Sequence, residues 1–224
     1  MIVAIDGPAA SGKSTSAKLL AKELGFLYLD TGAMYRCVSW AVIKDEIDLS
    51  NDRQLLNFLK KFKIDLKNTG NRSSFYVNNK DVTDLIRKSN ISQRVSEVSA
   101  IPDIRDFMVD IQRNYAKSEN CVMEGRDIGT VVFPKAEVKF FIIASDEVRA
   151  KRRKLELESL GEKKSLSELI DEIRRRDDFD SNRGHSPLKK AFDAIEIDTT
   201  DLSIDEQVKL MLGIVKQKII GNKK

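Results

Sequence analysis

The amino-acid sequence predicts an α/β protein: one five-stranded parallel sheet with helices on both faces. Three observations carry that expectation. Five short runs, Ile2–Ile5, Phe26–Leu29, Cys121–Met123, Phe140–Ile143 and Ala194–Ile197, are apolar with little alternation, as strands buried on both faces are. Each run is followed by apolar residues at helical steps of three and four, the order that builds a parallel sheet. Polar and glycine residues crowd the carboxyl ends of the first three, the edge at which such sheets bind ligands.

The first strand runs into Gly7-Pro8-Ala9-Ala10-Ser11-Gly12-Lys13-Ser14, which fits G-x-x-x-x-G-K-[ST], the phosphate-binding loop. A triphosphate needs many donors in a small space. Gly7 and Gly12 let successive backbone N–H groups turn inward, and the next helix adds its unpaired N–H groups and positive dipole end. Lys13 would place a charge on the β and γ phosphates, and the Ser14 hydroxyl would coordinate Mg²⁺. The expected set on ATP is therefore Gly7, Pro8, Ala9, Ala10, Ser11, Gly12, Lys13, Ser14 and the adjoining Thr15. Ala17, Leu19, Leu20 and Leu24 carry the helix, and Gly25 stops it.

The second strand leads into Asp30-Thr31-Gly32-Ala33-Met34-Tyr35-Arg36 and a dense apolar helix to Ile43. Core packing is one reading of Tyr35, and a surface ion pair one reading of Arg36. Asn51 to Phe62 is an amphipathic helix. Ile64 and Leu66, then Phe75 and Val77, alternate with polar residues around a turn centred on Gly70, and Asn78-Asn79 marks a second turn. Lys63 to about Lys88 is thus an inserted antiparallel hairpin or meander with one wet face. Val95 to Tyr115 is helical, interrupted at Pro102, which is favourable in a first turn. Ser96 and Arg105 lie on its polar side, where solvent exposure is the plain alternative to a binding role.

The third strand enters Glu124-Gly125-Arg126-Asp127-Ile128-Gly129-Thr130. After the fourth, Ser145-Asp146-Glu147 caps a helix bearing Arg149, Lys151, Arg152, Arg153 and Lys154, and the polar stretch through Gly161 to Ser167 is expected to be mobile. A helix from Ser167, if continued, sets Arg176, Asp180 and Arg183 on one face, either as mutual salt bridges or as an arginine pair aimed at phosphates. Gly184 and Pro187 end it. Ser203-Ile204-Asp205-Glu206 is a capping box that opens the last helix.

The 224 residues suffice for one substantial domain. Lys and Arg number 39 against 35 Asp and Glu, a formal charge of +4, which phosphate-binding side chains alone would explain. Cys37 and Cys121 stand in unrelated contexts and read as small buried hydrophobes, and His185 is the single histidine, so zinc and disulfide frameworks are excluded. No apolar run approaches membrane-spanning length, and Met1 leads straight into the first strand, so a cytoplasmic protein is expected. No long apolar stripe is left over, and a monomer is expected. A GTP switch is disfavoured because no D-x-x-G occurs and Asn79-Lys80-Asp81 lacks the N-K-x-D spacing. The basic helix Arg149 to Lys154 fits a nucleotide-gated RNA-binding module, but it lacks interleaved aromatic rings, so nucleic acid is not an expected partner.

Taken together, Ile5 through Ser14, Asp30 through Arg36, Glu124 through Pro134 and Arg176 through Arg183 resemble the bacterial cytidylate kinases, within the nucleoside monophosphate kinase family. The resemblance spans the whole chain. It implies a single domain over 1–224 of the P-loop NTPase type, with a small antiparallel β insertion in a monophosphate-binding region of about 35–100 and a mobile lid of about 149–166. It implies transfer of the γ-phosphoryl group of ATP, with Mg²⁺, to CMP and dCMP; a UMP or AMP acceptor is the sibling reading. By resemblance, Thr31, Ser96, Arg105 and Asp127 read cytosine, and Arg36, Arg126 and Arg183 clamp the monophosphate. Arg176 and Asp180 stand near the ribose, Tyr35 belongs to the substrate site, and Arg152 or Arg153 belongs to the lid over ATP. Lys13, Arg126 and Arg183 are the expected catalytic residues. The loop at Thr199 and Thr200 is expected to face adenine. Many family members have aspartate where this chain has Glu124; the charge is kept but the reach changes, which leaves its metal role open.

Overall fold

The computed structural model of the chain describes residues 1–69, 72–117, 119–159 and 161–221. Gly70, the centre of the expected turn, lies outside the described residues. In chain order the strands are β1 (Ile2–Asp6), β2 (Leu27–Asp30), β3 (Ile64–Thr69), β4 (Arg72–Val77), β5 (Lys80–Asp81), β6 (Cys121–Gly125), β7 (Val138–Ile143) and β8 (Ile195–Asp198). The α-helices are α1 (Lys13–Leu24), α2 (Thr31–Lys44), α3 (Asp52–Lys61), α4 (Ser89–Ala100), α5 (Pro102–Tyr115), α6 (Asp146–Ser159), α7 (Leu166–Asn182) and α8 (Ile204–Gly221). Two compact units divide the chain: Met1–Leu29 with Tyr115–Lys224, and Asp30–Asn114.

In the first unit the sheet runs in the order β2–β6–β1–β7–β8. β1 is central, paired in parallel with β6 and with β7. The core follows from the apolar runs: Val3, Ile5, Val122, Phe140 and Ile142 of the sheet meet Ala17 and Leu20 of α1 and Met211 and Val215 of α8. Each large side chain so buried contributes roughly 1.5–3 kcal/mol. Gly25 ends α1 in the left-handed conformation, as its position predicts. Register then sets the site. Asp6 pairs with Gly125, so the residues leaving β6 lie beside the loop leaving β1.

α6 and α7 pack together through Ala150, Leu157, Leu169 and Ile173. α7 begins one residue earlier than the sequence pattern predicts and does so with a full capping box, Ser165 and Glu168 each satisfying the other's backbone. The reciprocal bonds of Ser203 and Glu206 open α8 in the same way.

In the second unit β3, β4 and β5 form a three-stranded antiparallel sheet, with Leu66 opposite Phe75 and Ile64 opposite Val77. Asn78 and Asn79 both have positive φ, 47° and 67°, the signature of a two-residue turn whose twist suits a hairpin. Phe75 and Val77 are buried, while Asp65 and Lys67 of the partner strand are exposed. The helical stretch breaks into α4 and α5 at Pro102, which takes the first position of α5. Both cysteines are buried and free. Among the described residues no helix is long and apolar enough to cross a membrane.

Candidate active site

Two clusters hold the residues singled out by the sequence, one in each unit. In the first unit the loop Gly7–Gly12 leaves the central strand and enters α1. Gly7 is dictated by space: a Cβ there would lie 2.2 Å from the backbone oxygen of Ile142. Gly12, at φ 92°, takes a left-handed turn that L side chains resist and so opens α1 without a side-chain cap.

The backbone of this loop is gripped from outside by side chains. Arg149 donates to the Ala9 carbonyl at 3.2 Å, and the Ala9 N–H donates to Asp177 at 3.2 Å. Arg152 donates to the Ser11 carbonyl at 3.1 Å, and the Thr199 hydroxyl lies 2.9 Å from the same oxygen. Arg149 also pairs with Asp177 and, at 2.5 Å, with Asp146. Asp146 in turn receives Arg174, a bond that holds its carboxyl below the ordinary range. In the loop at Thr199 and Thr200 both hydroxyls are engaged by the protein. Thr199 is buried and accepts from Arg152, and Thr200 donates to Asp198 at 2.6 Å. Both sit at the turn after β8, where Thr199 ties the chain to the loop of β1 and Thr200 ties it to Asp198 and the Ser145 N–H.

Lys13 is 7% exposed, and its ammonium donates back across the loop to the Pro8 carbonyl at 3.0 Å. Ser14 is exposed at the start of α1 and donates to Glu124 Oε2 at 2.7 Å. Thr15 is exposed on the next position. Glu124, 2% exposed, also receives the Tyr28 hydroxyl on Oε1 at 2.7 Å. These are hard oxygen groups of the kind that bind Mg²⁺. Among the described residues, however, no group of three or more His, Cys, Asp or Glu could hold a metal alone.

The residues after β6 meet the end of α7. Arg126 donates through Nε to Asp180 Oδ2 at 2.9 Å, and Arg183 lies 3.9 Å from Asp180 and 4.0 Å from Asp127. Asp180 is buried. Burial alone would raise its carboxyl, yet Arg126, Arg176 and Arg183 around it hold it below the ordinary range. The Arg–Asp–Arg row is thus drawn together by an acid, with Arg126 added from another element. Asp6, not singled out by the sequence, accepts the N–H groups of Ile128 and Gly129 and so anchors the chain just beyond Asp127.

In the second unit Asp30 caps α2 by accepting from the Ala33 N–H at 2.7 Å, and it receives Arg36 at 3.2 Å. Thr31 is buried at the first position of that helix. Tyr35 is buried one turn on, and the Arg105 guanidinium lies 5.3 Å from its ring centroid. Arg105 is not solvent-exposed, as its place on the polar side of α5 allowed: it is 1% exposed and donates to the Ser99 carbonyl at 2.9 Å. Ser96 is half-buried on α4, its carbonyl accepting from the Ser99 hydroxyl. Asp6, Tyr28, Arg149 and Asp177 were missed as site residues. The sequence signal for Asp6, Tyr28 and Asp177 is adjacency to a strand end or to the Arg176 motif, and for Arg149 its place in the basic helix after the fourth strand.

Comparison with known proteins supplies the family. A family model described as cytidylate kinase matches residues 3–217. The cytidylate kinase of Halalkalibacterium halodurans is 48% identical over 219 residues, covering 98% of this chain and 99% of that one. The cytidylate kinase of Geobacillus sp. (strain WCH70) is 49% identical over 217 residues, 97% of each. In fold the chain is similar to the crystal structure of an uncharacterized protein from Eubacterium ventriosum, at a TM-score of 0.51 and 14% identity, over 96% of this chain and 98% of that one. Matched along nearly its whole length by the model and by these relatives, the chain belongs to the cytidylate kinase family.

Proposed function

We propose that this chain transfers the γ-phosphoryl group of Mg·ATP to CMP and dCMP, giving ADP with CDP or dCDP. As a member of the cytidylate kinase family it is a phosphotransferase, and CMP is its acceptor. The observation that supports the reading most is the cluster in which Asp180 binds Arg126, with Arg183, held by the Ser186 carbonyl, near both Asp180 and Asp127, next to the loop of β1.

The acceptor is a phosphate oxygen, ionised at neutral pH, so no general base is needed. What remains is positioning and charge neutralisation. Lys13 would leave the Pro8 carbonyl for the β and γ phosphates, and the loop N–H groups from Gly7 to Thr15 would take the rest of the triphosphate. Ser14 and Glu124 would hold Mg²⁺, which supplies neutralisation of phosphate charge. Arg36, Arg126 and Arg183 would clamp the monophosphate, with Arg176 and Asp180 by the ribose. Thr31, Ser96, Arg105 and Asp127 would read cytosine: an acid accepts from the exocyclic amine, and a guanidinium donates to the ring nitrogen and carbonyl. Tyr35, packed against Arg105, would hold that cation in place. Arg152 would serve a lid of about 149–166, and the monophosphate region would span about 35–100 of a single catalytic domain. The protein would act as a cytoplasmic monomer on small nucleotides.

The test is ADP release from Mg·ATP with CMP, dCMP, UMP, AMP and GMP in turn, with Lys13→Ala as the control. Turnover with CMP and dCMP alone is expected. Turnover confined to another monophosphate would overturn the cytosine reading, and equal turnover by the control would overturn the role of the loop.

A further inference from the structure

Glu124 is almost fully buried at the end of a strand, two residues beyond the hydrophobic core. A carboxyl group is tolerated there only if its oxygens find hydrogen-bond donors. One is met by Ser14 at 2.7 Å, the other by Tyr28 at 2.7 Å. The second partner is built for the purpose. β2 lies next to β6 in the sheet, and Tyr28 packs its ring against the core while its hydroxyl reaches the carboxylate. Glutamate has one more rotatable bond than aspartate, so a second anchor is what keeps its head group in one place.

We infer that Tyr28 is a positioning residue for the metal: its hydroxyl fixes Glu124, and Glu124 fixes the rotor of Ser14. A hydroxyl has one proton to donate and two lone pairs to offer. Because the Ser14 proton goes to Glu124, the Ser14 oxygen is left with its lone pairs turned to an incoming cation. Without the Tyr28 bond the carboxylate loses one of its anchors, and the orientation it imposes on Ser14 loosens. This rests on the proposed Mg·nucleotide chemistry at Ser14, and it adds a residue that never touches the ion.

The experiment compares wild type with Tyr28→Phe, which removes one oxygen, and Tyr28→Leu, which removes the ring as well. Binding of Mn²⁺ to the ADP-loaded enzyme is read by electron paramagnetic resonance, with metal-free ADP binding measured beside it by calorimetry. Tyr28→Phe is expected to weaken Mn²⁺ binding by about three- to tenfold, the size set by one lost hydrogen bond to a charged group felt at second hand. Metal-free ADP binding and the KM for CMP should stay within twofold, and the free Mg²⁺ needed for half-maximal turnover should rise by the same factor as the Mn²⁺ constant. Wild-type Mn²⁺ affinity in Tyr28→Phe would overturn the inference. So would equal losses of Mn²⁺ and metal-free ADP binding, which mark a packing defect, and a melting point that falls as far in Tyr28→Phe as in Tyr28→Leu. Should wild type itself show no metal-dependent nucleotide binding, the phosphotransfer reading fails first and Tyr28 has no metal to position.

Discussion

Asp6 holds Gly129 by its backbone: the carboxylate accepts that N–H at 2.7 Å and the Ile128 N–H at 2.8 Å, tying the last residue of β1 to the turn beyond Arg126 and Asp127. Burial pushes the carboxyl up to about 7, with the two N–H groups pulling the other way, Asp127 adding to the rise and Arg126 opposing it. The sign follows. A carboxyl raised from 3.8 in the folded state keeps its proton longer there than in the unfolded chain, so raising the pH from about 4 to about 7 costs stability, and the cost is constant above that. The difference in urea stability between wild type and Asp6→Asn should therefore fall across that window by a few kcal/mol, on the order of 4 at most. A difference that stays flat from pH 4 to 8 would show that Asp6 ionises normally.

How much of this was legible in the sequence depended on distance along the chain. The five strands, the glycine loop, the Gly25 stop and the Asn78-Asn79 turn are local signals, and each stands where its residues placed it. α7 begins one residue before Ser167 because Ser165 and Glu168 close a capping box, a reciprocal bond that apolar periodicity does not register. The ties of the site are different in kind. Tyr28 meets Glu124 across 96 residues and Ala9 meets Asp177 across 168, and no periodicity reports either. Arg105 shows the same limit: a helical wheel places it on a polar face, and the ring of Tyr35 and the carbonyl of Ser99, neither visible to the wheel, help to bury the cation there.

Gly7→Ala should be among the most damaging single changes. Its Cβ would meet the Ile142 oxygen at 2.2 Å, and that oxygen belongs to the backbone of β7, which cannot turn aside as a side chain can. The loop or the strand must shift, at a cost of roughly 3 kcal/mol or more. Chemical denaturation should show a loss of that size, and metal-free ADP binding should weaken with it. Gly25→Ala is the control, since an added Cβ there meets nothing within 4 Å and its penalty is the strain of φ 67° alone. Equal losses in the two variants would mean that the contact with Ile142 is not what demands glycine at position 7.

Asp177→Ala should separate the two substrates kinetically. Asp177 accepts the Ala9 N–H and pairs with Arg149, which holds the Ala9 carbonyl, so the two peptide groups flanking Ala9 are tied to one ion pair. Its loss leaves the loop less preorganised and Arg149 with Asp146 as its remaining acid. The KM for ATP should rise about tenfold, the effect of one charge-assisted bond, while the KM for CMP stays within twofold. Initial rates against each substrate decide it. A rise confined to the CMP side would place Asp177 in the wrong half of the site.

Asp180→Asn tests the arginine cluster in both stability and rate. The carboxylate lies amid Arg126, Arg176 and Arg183, which together depress its pKa although burial works against them. A depressed carboxyl contributes stability that is fully present above the unfolded value of 3.8 and is lost as the pH falls through the lower folded value. Wild type should therefore exceed Asp180→Asn by about 3 kcal/mol at pH 7, the usual cost of breaking a buried ion pair, and the margin should shrink only below pH 4. Turnover should fall further than folding does. With the acid gone, Arg126 loses its hydrogen-bond partner and the charge between it and Arg183, which the Ser186 carbonyl holds in place, is no longer offset, so kcat should drop by on the order of a hundredfold at pH 7.5 in protein that is still fully folded. A variant that is destabilised yet turns over CMP at the wild-type rate would assign Asp180 to the fold alone and leave the aim of the two arginines to Asp127 and the nucleotide.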